Sequence, residues 1–467
     1  MKKSHLCICA TALLYLFSSC EVHIAESEDN SIDNTPITVE LESMQDEILL
    51  LTNKNELNLL HESNEDVVDW ELSREFAEFT LVSFMSTGEF PKDSSIWDLP
   101  VAIYDSNGDI KYYEYRITSQ GKTVGAITCN ANEKNGAPIA FIIHTEGYAD
   151  EIEELYKQGK FTRRNVPRLI DNGYPNVVLA RANVKNNGTI QFDTSFDLQT
   201  GETVSETETP VNFEEYIKEF PNQMSESQIN EVRQAIKKYQ DEMSDMWEEA
   251  KKNKGNIMQK GWGGSSSSSS GTTSVDQQKP NAMSESDFNE KYGATYNHWY
   301  GFDYYACGGS AAGYVLDTLA LKGLGNVSDE WLHMSNPYNL PNYEESECVM
   351  NLIDVMNMED EVVGISVAPS WITWPSNIGN AISKYSDYNV SYVCGIPKKS
   401  IDTGIPGISL RIGAKGFHYR NVVAYESRGW WIFKWDYELI KDLNRVDGGW
   451  EAWNPFYHWM SWNVVHK

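Results

Sequence analysis

The chain has 467 residues, of which 41% are hydrophobic, and 68 acidic residues against 38 basic ones give it a formal charge of −30. That charge excludes a protein that binds nucleic acid through a basic surface, because a phosphate backbone would be repelled. The hydrophobic fraction and the 15 Trp, 25 Tyr and 16 Phe exclude an intrinsically disordered chain, and at roughly 150 residues per domain the length predicts about two or three domains.

The first twenty residues have the composition of a bacterial export signal. Two lysines precede an apolar run over residues 6–17, and two serines stand directly before Cys20. Small residues before a Cys resemble a lipoprotein cleavage site, so we expect residues 1–19 to be removed as a signal peptide and Cys20 to carry a lipid anchor; ordinary signal cleavage nearby is the alternative. The acidic stretch Glu26–Asp29 resembles the tag of Bacteroidota-type lipoproteins, which implies an outer-membrane protein anchored at the cell surface.

Residues 20–65 follow as a predicted acidic tether. Between residues 21 and 70 there are 14 acidic residues and one Lys, with little hydrophobic periodicity before Val67. Such a charged, aperiodic segment stays solvated, so we expect it to hold the folded part of the chain away from the membrane.

Residues 66–255 are predicted to form a smaller α+β domain. Apolar residues recur at helical spacing over 66–85, and four strand-like runs follow over 99–144, separated by short turns such as Gln120-Gly121. A longer helical pattern covers 225–254. Helices combined with antiparallel strands in this order are typical of the α+β class.

A Gly/Ser-rich linker over 256–280 is the predicted domain boundary. It contains six consecutive serines, Ser265–Ser270, and such a segment cannot bury enough apolar surface to order itself. Residues 281–467 hold 11 of the 15 Trp and are predicted to form a second domain with a β-rich end.

The remaining cysteines limit the chemistry of the chain. Three of the seven lie in the export signal or at its end, which leaves Cys129, Cys307, Cys348 and Cys394. Four thiols are too few for a disulfide framework, and their spacing is not that of zinc ligands, so we expect no metal. One disulfide or a free reactive thiol remains open. The sequence has no Gly-rich phosphate loop, so we expect neither a nucleotide nor another cofactor.

Cys307 stands at the start of a predicted helix. Gly308 and Gly309 follow it, and Ala, Val and Leu then recur at helical spacing as far as Gly323. The free N–H groups and the dipole at a helix N-terminus favour the thiolate, which is the nucleophilic form, and the glycines allow a substrate close to the backbone. Cys307 is therefore a candidate nucleophile, and a Cys packed as a small hydrophobe is the alternative.

His418 lies in a strand-like run whose alternation puts it on one face with Arg420. We predict a hairpin that turns at Arg428, in which Arg420 faces Asp436, and Asp436 lies one diagonal step from His418. A carboxylate there would orient the imidazole and support its charge, so Cys307, His418 and Asp436 form a candidate nucleophile, base and acid. A slip of one residue would move Asp436 to the other face.

This combination resembles a known family. Cys307-Gly308 opens an Ala-rich helix, and His418-Tyr419 lies in a valine-rich strand after Gly404-Ile405-Pro406. In these features the chain is similar to the bacterial papain-like cysteine peptidases, both double-glycine-peptidase-like and streptopain-like, over residues 302–464. The segment from Tyr112 to Phe141 resembles the propeptide-like module that precedes the catalytic domain in such proteins.

The resemblance implies an α+β protein in which a papain-like cysteine peptidase domain, with its N-terminal Cys helix packed on an antiparallel sheet, follows a smaller propeptide-like domain. It implies a cysteine peptidase made as an inhibited precursor and acting on a peptide or protein substrate. In that reading Cys307 is the nucleophile, His418 the base and Asp436 the orienting acid.

One part of the family pattern is not matched. Such peptidases place a Gln shortly before the Cys to complete the oxyanion hole, and no Gln occurs between Lys279 and Cys307. Gln278 and Asn297 are the candidate oxyanion donors, and losing such a donor costs roughly 10²- to 10³-fold in rate. Because these enzymes also use Asn in place of Asp, Asp442 and Asn444 are reserve candidates for the third residue.

The alternative function is a non-catalytic surface lipoprotein that binds glycan or peptide. Exposed Trp side chains stack on sugars, and the second domain is rich in Trp. However, Trp430, Trp431 and Trp435 occupy both faces of a predicted strand, so some of them must be buried.

Overall fold

The structure, a computed structural model, describes most of the chain after residue 53. The described residues are 54–105, 107–145, 147–158, 168–171, 177–184, 190–197, 203–204, 212–219, 221–257, 270–272, 307–335, 355–356, 359–361, 370–372, 375–413, 416–430, 433–441 and 449–467. The predicted signal peptide, the lipidation site Cys20 and the tether up to residue 53 lie outside them. All of the described residues belong to one compact unit.

The helices of the described part are as follows: α1 Lys54–Ser63, α2 Trp70–Ser86, α3 Tyr148–Lys157, α4 Phe213–Glu219, α5 Glu226–Lys252, α6 Cys307–Lys322, α7 Asp329–Ser335, α8 Asn380–Tyr385 and α9 Lys398–Asp402. The strands of the first half are β1 Ser95–Ile96, β2 Val101–Tyr104, β3 Ile110–Ser119, β4 Lys122–Asn130, β5 Ile139–Ile143, β6 Arg168–Asp171, β7 Val177–Val184, β8 Ile190–Asp197 and β9 Thr203–Val204. The later strands are β10 Ser270–Thr272, β11 Glu359–Glu361, β12 Ser370–Ile372, β13 Tyr388–Val393, β14 Gly407–Gly413, β15 Gly416–Trp430, β16 Phe433–Lys441, β17 Gly449–Ala452 and β18 Met460–His466.

Most of the strands join one large sheet. Its order is β13-β18-β14-β15-β16-β17-β5-β4-β3-β2-β6-β7-β8-β9, with β1 beside β3 and β10 beside β15. The sheet is mixed, because β2 and β6 run parallel whereas the neighbouring pairs around them are antiparallel. The predicted α+β class is confirmed.

Helix α2 shows why the predicted amphipathic segment folds against the sheet. Asp69 caps it by accepting a hydrogen bond from the backbone N–H of Glu71 at 2.8 Å. Its apolar side chains at helical spacing, among them Leu72, Phe76 and Phe84, are buried. They form the first core of the protein, which we call the amino-terminal core, together with β3, β4, β5 and side chains of β16 and β17.

Helix α5 reaches two cores. Ser225 caps it in a capping box with Gln228, and the predicted helix over 225–254 is confirmed. The second half of α5 buries Trp247 in the amino-terminal core, whereas its first half buries Val232 in a second core. That second core, called here the carboxyl-terminal core, is built on α6, β14 and β18.

Part of the predicted Gly/Ser-rich linker is ordered. Ser270–Thr272 form β10, which pairs antiparallel with Ala424–Glu426 of β15. Main-chain hydrogen bonds to an existing strand need no side-chain burial, which is why serine and glycine suffice there. The rest of the linker, 258–269 and 273–280, lies outside the described residues.

Among the described residues, no helix combines the length and the apolar character that crossing a bilayer requires.

Candidate functional site

Cys307 is the first residue of α6, as the sequence predicted. Ala311, Val315 and Leu319 follow on the buried side of the helix, and Gly323 ends it with a positive φ of 65°. Cys307 itself is only partly buried and packs at the edge of the carboxyl-terminal core. The thiol therefore lies at a helix N-terminus without being enclosed by the core, which is the position that a nucleophile requires.

Helix α6 lies along β15, the strand that carries His418. The side-chain amide of Asn421 donates a hydrogen bond to the carbonyl of Ala311 at 3.0 Å, one turn after Cys307. At the other end of α6, Lys322 donates to the carbonyl of Gly404 at 2.7 Å, just before β14 begins. These two contacts fix the direction of the helix and put its N-terminus at the end of β15 where His418 lies.

Tyr419 connects Cys307 with this strand. Its side chain is buried in the carboxyl-terminal core, and burial holds the pKa of its hydroxyl well above the ordinary value. Cys307 packs against the edge of the same core. Cys307 and Tyr419, the residue that follows His418, therefore contribute to the same core.

Strand alternation, however, directs the imidazole to the other face of the sheet. In the register with β14, Leu410 pairs with Tyr419 and Arg411 pairs with His418, without a bulge between them. Tyr419 and Asn421 face α6, so His418 shares the opposite face with Arg411. The structure brings Cys307 and His418 to the same end of β15. Their side chains, however, lie on opposite sides of the sheet.

The predicted position of Asp436 is wrong. The hairpin pairs Ser427 with Asp436, and the pairing continues to Trp430 and Phe433, so the hairpin does not turn at Arg428. The carboxylate of Asp436 accepts hydrogen bonds from Ser427 and, at 3.0 Å, from Lys398. Ser427 is nine residues along β15 from His418, about 30 Å at roughly 3.3 Å per residue, so Asp436 cannot orient that imidazole.

The reason for this register is a contact with a distant part of the chain. Arg428 is 6% exposed, and its guanidinium binds the carboxylates of Glu89 and Glu426 and lies 3.6 Å from the ring centroid of Phe84. These contacts hold Arg428 in an extended strand, which continues to Trp430. The local Ser-Arg-Gly pattern favours a turn, but Arg428 lies within a strand, where it binds Glu89.

The other predicted site residues lie outside the described part of the chain. These are the oxyanion candidates Gln278 and Asn297, the reserve residues Asp442 and Asn444, and Cys348.

The other two described thiols, those of Cys129 and Cys394, are poor nucleophiles. In the described part of the chain, Cys129, Cys307 and Cys394 are not joined in disulfide bonds. Burial raises the pKa of Cys129 to about 12, and burial together with Glu231 raises the pKa of Cys394 to about 11. At neutral pH almost none of either thiol is ionised, so Cys129 and Cys394 offer little thiolate.

Sequence reasoning missed a buried charged cluster on the face that carries His418. Arg411 Nη1 lies 3.1 Å from Glu451 Oε1, and Arg420 binds Glu451 and, at 3.3 Å, Glu438. His458 Nε2 lies 3.3 Å from Glu451 Oε1, and its Nδ1 accepts the backbone N–H of Asn454 at 3.2 Å. The signal in the sequence was a set of charged residues at the inward positions of otherwise apolar strands.

The two carboxylates of this cluster have opposite electrostatic environments. Burial raises the pKa of Glu451, but Arg411 and Arg420 together outweigh burial and hold it well below its ordinary value. Burial raises the pKa of Glu438, and the neighbouring Glu451 adds to that, against the lowering effect of His458 and Arg420. The ligand atoms of Glu438, Glu451 and His458 lie within 4.8 Å of one another, a distance suited to a metal ion. Because two guanidiniums already compensate these carboxylates, we interpret the cluster as an ion-pair network.

Five tryptophans in the described part of the second half are core residues. Those described as buried are Trp331, Trp435, Trp450, Trp459 and Trp462. An aromatic platform for sugars needs exposed rings, so these five side chains cannot supply one.

A groove of about 450 Å³ lies between α4, α5 and the turn before β18. Its described lining residues are Lys134, Asn212, Phe213, Glu214, Arg233, Ile236, Lys237, Gln240, Phe456 and Tyr457. Neither Cys307 nor His418 is among them, so the groove is separate from the thiol.

No family model, no curated protein and no solved structure matches the chain.

Proposed function

We propose that this protein is a papain-like cysteine peptidase of the cell envelope, anchored through a lipid on Cys20. The observation that carries the proposal is the position of Cys307: a partly exposed thiol at the first residue of a buried helix that lies along the His418 strand. A thiol at the start of a helix, outside the core, is accessible to a substrate. The substrate is a peptide or protein.

In the proposed reaction the thiolate of Cys307 attacks the peptide carbonyl carbon. The amine leaves with a proton delivered by His418, and a thioester with Cys307 remains. Water, deprotonated by His418, then hydrolyses the thioester, which releases the carboxylic acid and restores the thiol.

The proposed reaction requires His418 to change its position. The imidazole of His418 has to reach the helix side of the sheet, against the alternation that pairs it with Arg411. The end of β15 is the place where such a rotation is sterically easiest, since His418 is only two residues from the start of the strand and is partly exposed.

Thiol alkylation tests whether His418 acts on the thiol of Cys307. The protein is treated with iodoacetamide between pH 5 and pH 9, and the labelled peptide is identified by mass spectrometry. We expect rapid labelling of Cys307 that persists below pH 7, because an imidazolium partner keeps the sulfur ionised. His418→Ala is expected to restore the steep pH dependence of an ordinary thiol, and His333→Ala, an exposed histidine on α7, is the matched control.

A non-catalytic surface lipoprotein is the second candidate, and the alternation at His418 is the observation that favours it. Ordinary thiol kinetics at Cys307, unchanged by His418→Ala, would support this function and overturn the peptidase proposal.

A further inference from the structure

Two halves of the chain share one sheet. Residues 54–257, the amino-terminal segment, contribute β5, and residues 270–467, the carboxyl-terminal segment, contribute β17. These strands pair antiparallel, with Trp450 opposite Ile142 and Glu451 opposite Phe141. We call the contact surface between the two segments the seam.

On one side of the seam the two segments build a common aromatic core. The ring centroids of Phe84 lie 5.8 Å from Tyr437 and 6.1 Å from Trp450, and those of Phe76 and Trp435 lie 6.3 Å apart. All five side chains are buried. Large aromatic side chains bury about 150–250 Å² each, so separation of the segments would expose a wide apolar surface.

An ion pair between the buried Arg428 and the partly buried Glu89 crosses the same side of the seam. The carboxylate of Glu89 binds the guanidinium of Arg428 and accepts a hydrogen bond from the indole N–H of Trp450 at 2.5 Å. Arg428 Nη1 also donates to the hydroxyl of Thr87 at 3.2 Å. Separation would leave the guanidinium of Arg428 and the indole N–H of Trp450, both on buried residues, without these partners.

Helices α4 and α5 extend the seam to the carboxyl-terminal core. The rings of Phe213 and Tyr216 lie 4.8 Å and 5.3 Å from that of Trp459. The ring of Tyr239 lies 5.7 Å from that of Phe456. The amino-terminal segment is therefore a structural component of both cores.

The residues on either side of 258–269 are each bound within their own segment. On the amino-terminal side, the backbone N–H groups of Gly255 and Ile257 donate to the carboxylate of Glu75 at 2.6 and 3.3 Å. On the other side, Ser270–Thr272 pair with β15. A break between residues 257 and 270 would leave these anchoring contacts intact.

From these contacts we infer that cleavage between Ile257 and Ser270 does not release the carboxyl-terminal segment. The product is a two-chain protein in which the segments stay associated through the seam. This inference concerns assembly and does not depend on the proposed peptidase activity.

The test uses the full chain with a recognition site for a sequence-specific protease in place of the serines between residues 265 and 269. After complete cleavage, a denaturing gel shows two fragments. Native mass spectrometry and size-exclusion chromatography with light scattering are expected to show one particle with the mass of the uncut chain, also after dilution to nanomolar concentration. Two separate species would overturn the inference.

Substitutions at the seam sharpen this test. Arg428→Ala removes the ion pair with Glu89, and Arg233→Ala, which removes an exposed pair with Glu214 inside the amino-terminal segment, is the matched control. In the cleaved protein, Arg428→Ala is expected to lower the urea concentration at which the fragments separate, and Arg233→Ala to leave it unchanged. Equal separation curves for the two variants would contradict the inference, provided that circular dichroism shows both uncut variants folded.

Discussion

The side chain of Asn421 donates a hydrogen bond to the carbonyl oxygen of Ala311 at 3.0 Å, and this bond ties the cysteine-bearing helix α6 to the histidine-bearing strand β15. Asn421 is 4% exposed, so the bond is shielded from water. It fixes the start of α6 at the level of Tyr419, where the helix that carries Cys307 meets the strand that carries His418.

Replacement of Asn421 tests this tie. Asn421→Ala removes a buried hydrogen bond and is expected to lower the free energy of unfolding by about 1–2 kcal/mol, measured by urea denaturation. Ser391→Ala, at an exposed position on β13, is the control and is expected to change stability by less than about 0.5 kcal/mol. Equal effects of the two substitutions would show that the Asn421 bond contributes nothing.

The buried cluster predicts unequal effects for its two carboxylates. Glu451→Gln leaves Arg411 and Arg420 with too little negative charge and is expected to destabilise the protein by about 3–5 kcal/mol. Glu438→Gln is expected to cost less than about 2 kcal/mol, because the environment of Glu438 already disfavours its charge. Chemical denaturation at pH 7 ranks the two variants, and a larger loss for Glu438→Gln would contradict our reading of the cluster.

The same carboxylates predict opposite pH dependences. The pKa of Glu451 is lower in the folded protein than in the unfolded chain, so its stabilisation is present above about pH 4.3 and is lost as the pH falls below that value. The pKa of Glu438 is raised on folding, so the stability it contributes is full below about pH 4.3 and is lost as the pH rises through its folded pKa.

Thermal unfolding at pH values below and above about 4.3 checks the direction of both pH dependences. The stability deficit of Glu451→Gln relative to the unmodified protein is expected to shrink as the pH falls below about 4.3. The deficit of Glu438→Gln is expected to shrink as the pH rises above that value. Parallel curves for the two variants would mean that neither carboxylate titrates as we describe.

The lipid anchor is a prediction from the sequence that fractionation can test. Cys20→Ser is expected to move the protein from the membrane fraction to the soluble fraction, because the residue that would carry the lipid is lost. Cys394→Ser is expected to leave the protein in the membrane fraction. A Cys20→Ser variant that still sediments with the membranes would refute lipidation at this residue.

Elements governed by local chemistry were predicted well. The turn at Gln120-Gly121 forms as expected, with positive φ angles of 51° and 74° that close the hairpin between β3 and β4. The helix that starts at Cys307 and ends before Gly323 follows from its apolar spacing and its terminal glycine. In both cases the residues that decide the structure are neighbours in the chain.

The arrangement of the candidate site was harder to predict, because it depends on contacts over long distances in sequence. The register that carries Asp436 away from His418 depends on the binding of Arg428 to Glu89, more than 300 residues earlier. Local turn preferences contain no information about such a partner. The short strand Ser270–Thr272 likewise exists only because β15 offers free backbone groups beside it.

By itself the sequence determined the acidic character of the chain, its α+β class and the placement of a thiol at a helix start, because composition, periodicity and capping act locally. Only the tertiary structure decided which face His418 occupies, where Asp436 lies and how closely the two halves are joined. Strand register depends on the side chains that meet across the sheet, and in this protein the decisive ones come from opposite ends of the chain.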